Sequence, residues 1–196
     1  SSGRILFHGN DISRITPERR SRLGIGRSYQ KTNIFPAFTV FENCRLAAQS
    51  RAPRPLHWAR AARSYDDVMD KAEHALHAVG LANRAGELAL ALSHGEQRQL
   101  EIGMCLGTAP QLLLLDEPLA GMGAEESARM VDLIGSLADA HAVLLIEHDM
   151  EAVFQLAKVL TVMANGKVLA TGAPAEVRAN REVQTAYLGA AEDSRA

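Results

Sequence analysis

Two stretches of the chain are apolar without alternation, Leu112 to Leu115 and Ala142 to Ile146. Runs of this kind predict parallel strands buried on both faces. Three-to-four spacing appears elsewhere: Tyr65, Val68, Met69, Ala72, Leu76 and Val79 fall on one face of a long helix that Gly80 ends. Glu125 to Ala138 has the same amphipathic period. Helix starts are marked by Thr16-Pro17, by Thr39 with Glu42, and by Ser93 with Glu96, the last two fitting the capping box S/T-x-x-E. Arg4 to Phe7 and Ile25 to Tyr29 read as short strands, the first followed by a turn over His8, Gly9, Asn10 and Asp11. Val159 to Thr171 reads as two strands joined by Asn165-Gly166, a strong hairpin signal. Lys167 is then a turn residue, not a phosphate lysine. Two short helices are expected between Ala173 and Gly189. Strands alternating with helices predict an α/β fold on a parallel sheet.

Chemistry concentrates in Leu90 to Pro118, LALSHGEQRQLEIGMCLGTAPQLLLLDEP. The leucine strand stops at Asp116 and Glu117, and Pro118 ends its ladder because it lacks an N–H. In open α/β sheets ligands bind beyond the carboxyl ends of the strands, where such a pair can meet a metal ion and a substrate. At the other end, Ser93-His94-Gly95-Glu96 caps a helix, and a helix N-terminus with a glycine beside it also suits an anion.

Taken together, these features resemble the signature motif and Walker B strand of ABC-type ATPases. Leu92 to Glu96 stands where that family has LSGGQ, with His94 and Glu96 as departures, and Leu112 to Glu117 stands where it has four apolar residues followed by DE. The resemblance implies a P-loop NTPase (RecA-like) core, residues 1–32 and 93–196, carrying an inserted helical lobe over 33–92 that docks a membrane subunit. SYQKTNIFPAFTVFEN around Gln30 resembles the family's Q-loop, and LAGMGAEE after the strand its D-loop, with Gly123 where aspartate is usual. His148 stands at the switch histidine. The tail, with QTAYLG, and IEHDM around His148 most resemble ATP-binding subunits of branched-chain amino-acid transporters; lipopolysaccharide-export ATPases share a similar tail.

The implied roles are specific. Asp116 and Gln30 would attend Mg2+, Glu117 would polarise the attacking water, and His148 would hold the γ-phosphate of ATP. Gln30, Ser93, Gly95 and Glu96 would contact nucleotide, the signature residues doing so across a head-to-tail dimer with a second ATP-binding subunit. Transmembrane permease subunits are the implied partners, with a periplasmic binding protein indirectly, and the implied place is the cytoplasmic face of the inner membrane. No phosphate loop G-x-x-x-x-G-K-[ST] occurs in the sequence, and Gly24-x-Gly26 precedes a strand instead of following one. The expectation is that the first strand, P-loop and helix of the core are absent, that the chain begins partway through a longer protein, and that it is inactive as given. A non-catalytic partner subunit is the competing class.

Composition changes little in this picture. The 196 residues carry a net charge of −2 and 47% hydrophobic content, enough for a core and without the basic stripe of a nucleic-acid binder. A chromosome-maintenance or DNA-repair ATPase would need long coiled coils beside the signature, and none is read here. The Arg19, Arg20, Arg22 cluster reads as a solvated face. No apolar run approaches the roughly 20 residues of a membrane helix, and Ser1 to Asn10 has no signal-peptide core. Cys44 and Cys105 read as buried thiols, and His74 with His77 as a solvated pair without a third metal ligand.

Overall fold

In the computed structural model, residues 3–51 and 66–186 are described. The Pro-rich break after Arg51, the helix position of Tyr65 and the end of the QTAYLG motif lie outside them. The chain forms two compact units, Ser1–Glu147 and His148–Ala196.

The first unit is built on a parallel sheet ordered β3-β4-β5: β3 (Ile25–Arg27), β4 (Leu112–Asp116) and β5 (Ala142–Ile146). Register is set by Ile25 opposite Leu112 and by Leu112 opposite Ala142. Gly24, at φ +100°, turns the chain from α1 (Pro17–Arg22, capped by Thr16) into β3. Only glycine enters that backbone region without strain.

The two apolar strands are less enclosed than their sequence predicts. On β4, Leu113 and Leu115 are fully buried while Leu112 and Leu114 are half-buried. On β5, Leu144 and Ile146 are each 56% exposed. The pleat sends neighbouring side chains to opposite faces, and among the described residues the face carrying Leu113, Leu115, Val143 and Leu145 is the better covered, with Val143 and Leu145 half-buried. The N-terminal strand is corrected as well. It is a small antiparallel ribbon, β1 (Leu6–Phe7) against β2 (Asn10–Asp11), so Asn10 and Asp11 are paired and the turn is His8-Gly9, both with positive φ.

Helix α4 (His94–Gly107) packs against β3, and α2 (Val40–Gln49) and α3 (Asp66–Ala78) pack against α4 and against each other. Val40, Cys44 and Ala48 on α2 meet Val68, Ala72, Leu76 and Val79, all buried as the spacing requires. The contact is close because α4 offers Gly103 and Gly107. A Cβ on Gly107 would lie 3.1 Å from the Cys44 carbonyl oxygen, and one on Gly103 would lie 3.1 Å from Val79. Two short 3-10 turns, Ala82–Arg84 and Ala89–Ala91, link α3 to α4. After β4, α5 (Ala124–Leu137) buries Met130, Ile134 and Leu137.

The second unit contains α6 (Met150–Leu156), the hairpin β6 (Leu160–Ala164) and β7 (Lys167–Gly172), and α7 (Pro174–Ala179), with a further helical stretch over 181–186. Val153, Leu160, Val177 and Val183 form its core. The Asn165-Gly166 turn has both residues at positive φ, 51° and 74°, as the hairpin signal predicts. Lys167 is the first residue of β7, opposite Ala164, and not part of the turn.

Candidate nucleotide site

β4 delivers its carboxylates to the carboxyl edge of the sheet. Asp116 is the last strand residue, and its N–H donates to the Ser28 hydroxyl at 3.3 Å. Its carboxylate faces the Arg27 guanidinium at 3.4 Å, which also lies 5.1 Å from the centre of the Tyr29 ring. Glu117 follows with φ +47°. That is a strained conformation for glutamate, doubly so before proline, which restricts its predecessor to extended backbone. It is held there by its N–H, which donates to the Ile146 carbonyl at 2.9 Å. The result aims the Glu117 side chain at the end of β3, where the Gln30 side-chain amide donates to it at 3.2 Å. The structure thus brings together Gln30, Asp116 and Glu117, residues separated by up to 87 positions.

Gln30 is itself held from α4. Arg98 donates to the carbonyls of Tyr29 (2.7 Å) and Gln30, and Glu101 accepts from the Tyr29 N–H at 3.0 Å. Arg98 and Glu101 are 6% and 4% exposed. Burial raises the Glu101 carboxyl above its ordinary range, against the lowering effect of the Tyr29 N–H and the Arg98 charge. Arg27, Arg98 and Glu101 were not singled out from the sequence. A charged pair three apart on a helix that otherwise reads as apolar on that face is the signal that could have found the last two.

At the start of α4, Ser93 forms the predicted capping box: its hydroxyl accepts from the Glu96 N–H at 3.3 Å and Glu96 accepts from the Ser93 N–H at 2.8 Å. The other Glu96 oxygen takes Arg84 at 2.5 Å. Both Glu96 oxygens are therefore engaged in holding the helix start. Gly95 admits a carboxylate closely, since a Cβ there would lie 2.9 Å from the Glu126 carboxylate, which also accepts from the Ser93 hydroxyl at 3.3 Å. His94, the bulky departure, packs its ring against Gly121 and shares a hydrogen bond with the Ala120 carbonyl at 3.2 Å.

His148 opens the second unit, directly before Asp149, whose carboxylate caps α6 by accepting from Glu151 and Ala152 N–H groups. Among the described residues no group of three or more His, Cys, Asp or Glu side chains could hold a metal, and His74 is bonded to the Asp70 carbonyl on its own helix.

An ABC transporter family model matches residues 1–120, which span the Gln30 segment, the Ser93 cap and the Asp116-Glu117 turn. The chain belongs to the ABC transporter ATPase family. A second model, of branched-chain amino acid ATP-binding cassette transporters, matches residues 167–193 of this ABC ATPase. The high-affinity branched-chain amino acid transport ATP-binding protein LivG of Escherichia coli is 33% identical over 97% of the chain and 78% of its own length. The lipopolysaccharide export system ATP-binding protein LptB of Haemophilus influenzae is 29% identical over 95% of the chain and 74% of its own length. Among solved structures, the ADP conformation of an ATP-binding cassette of an ABC transporter superimposes with a TM-score of 0.81 at 27% identity, covering 96% of this chain and 77% of that one. The family is one of nucleotide-binding, ATP-hydrolysing enzymes with a P-loop NTPase fold.

Proposed function

We propose that this ABC ATPase energises an importer for branched-chain amino acids. The observation that carries the ATPase part is the hydrogen bond from Gln30 to Glu117 beside Asp116. It joins the Gln30 amide, just beyond β3, to the Glu117 carboxylate, so that the acid is held in place beside Asp116 as a water-polarising base would need. A positioned base contributes about 10² to 10⁴ in rate. Mg2+ fits this donor set, since it prefers hard oxygen ligands and is held by one or two carboxylates together with substrate phosphates and water. Asp116 and Gln30 would hold it; when bound it supplies charge neutralisation at the transferred phosphate.

Asp116 then orients the metal side of the site, Glu117 takes the proton of the attacking water at its carboxylate, and Gln30 holds Glu117 until nucleotide competes for the amide. Ser93 and Gly95, at the α4 N-terminus, face nucleotide held by a second ATP-binding subunit, with Glu96 stiffening the cap. His148 serves the γ-phosphate. In this reading residues 33–92 are the lobe that docks transmembrane permease subunits at the cytoplasmic face of the membrane, and a periplasmic binding protein delivers the amino acid to them. No described helix is long and apolar enough to cross a membrane, which fits a peripheral subunit.

The match of residues 167–193 to the branched-chain amino-acid model favours this cargo over lipopolysaccharide export. Uptake of radiolabelled leucine, isoleucine and valine by cells lacking the gene tests it. The expected result is lost uptake, restored by the wild-type gene and not by Glu117→Gln. Normal uptake combined with defective lipopolysaccharide export would move the assignment to the exporter.

A further inference from the structure

Arg98 and Glu101 sit one helical turn apart on α4, five and eight residues beyond the signature serine, and both are nearly inaccessible to solvent. Burying a guanidinium and a carboxylate costs free energy that a simple apolar pair would not, so their presence calls for an account beyond packing. Their hydrogen bonds give one. The planar fork of Arg98 is spent on main-chain carbonyls of two successive residues, Tyr29 and Gln30, and not chiefly on its ionic partner, which lies at 3.5 Å. Glu101 in turn uses one oxygen to accept from the Tyr29 N–H. Three main-chain groups just beyond β3 are thus fixed by one turn of α4. The Nε of Arg98 is buried without a hydrogen-bond partner among the described residues, a penalty carried to keep the fork in place.

We infer that Arg98 and Glu101 are positioning residues that hold the Gln30 main chain so that its side-chain amide reaches Glu117. The inference rests on the reading of Gln30 and Glu117 given above. The pair ties the helix that begins with the signature serine to the residue that holds the base, so any shift of α4 is transmitted to Gln30 through two carbonyls and one amide. Arginine suits this role because its rigid planar fork presents two separate nitrogens to the two adjacent carbonyls, whereas lysine offers a single ammonium nitrogen on a flexible stem. Glutamine at position 101 retains an oxygen able to accept from the Tyr29 N–H.

Hydrogen exchange on the full polypeptide made from its native gene tests this without nucleotide. Arg98→Lys is expected to speed exchange in residues 28–32 by about tenfold while β4 amides at 112–116 keep wild-type rates; Glu101→Gln is expected to stay near wild type. Equal rates in 28–32 for wild type, Arg98→Lys and Arg98→Met would overturn the inference, as would an acceleration shared equally by β4. A double-mutant cycle on ATP hydrolysis then asks whether the clamp acts through Gln30. Arg98→Lys should lower kcat with KM for ATP unchanged, and should add little loss in a Gln30→Ala background. Full additivity of the two losses would contradict the mechanism. Absence of turnover in wild type would count against the ATPase reading alone, and the exchange result would then decide the clamp by itself.

Discussion

Glu117 sits in a left-handed conformation, φ +47°, pinned by the hydrogen bond from its N–H to the Ile146 carbonyl. Its place after four leucines was legible, because a buried strand that stops at two acids delivers them to the sheet edge. Its positive φ was not, since nothing in a Glu-Pro pair predicts a left-handed glutamate, and the tertiary bond to Ile146 is what holds it there. Cys44 and Cys105 are both buried free thiols, as their helical setting predicts. Burial pushes Cys44 and Cys105 each up to about 12 from the ordinary 9.0. Native protein at pH 8 should therefore resist iodoacetamide at both positions and react fully at both in urea. The sign for stability follows: the folded state keeps these protons where the unfolded chain loses them, so unfolding becomes easier as pH rises from 9.0 toward 12. Rapid labelling of the native protein, or a urea midpoint flat through that range, would contradict this environment.

Among the elements, α4 carries the most. Its start was predicted down to both halves of the capping box, because the S-x-x-E spacing is local and depends on nothing distant. Its inner face was not predicted, since Arg98 and Glu101 serve backbone that is about 70 residues away in sequence, and no periodicity encodes such a partner. Gly103 and Gly107 show a second limit: glycines within and at the end of a helix read as weak helix formers, yet here they set how closely α2 approaches α4. Gly107→Val should cost about 1 to 3 kcal/mol, because its Cβ meets main chain of α2 that cannot swing aside. Urea denaturation measures it, and an unchanged midpoint would mean the helices separate freely. The strands β4 and β5 illustrate the opposite error. Unbroken apolar runs promised burial on both faces, but composition cannot say which neighbours cover a face, and Leu144 and Ile146 stand half-exposed.

At the scale of the molecule, the α/β class and the family were legible because several separate signals agreed: the Gln30 segment, the Ser93 cap, the Asp116-Glu117 turn and the branched-chain-type tail. The division into Ser1–Glu147 and His148–Ala196 was not legible, as it depends on contacts and not on any linker composition. The central claim is that Glu117, held by Gln30, is the base of an ATPase. Steady-state ATP hydrolysis by the polypeptide made from its native gene, with Mg2+ present, tests it most directly when wild type is set beside Glu117→Gln. Wild type should show magnesium-dependent turnover, and the variant should lose about 10² to 10⁴ in kcat while still binding ATP. Turnover by Glu117→Gln within a few-fold of wild type would contradict it.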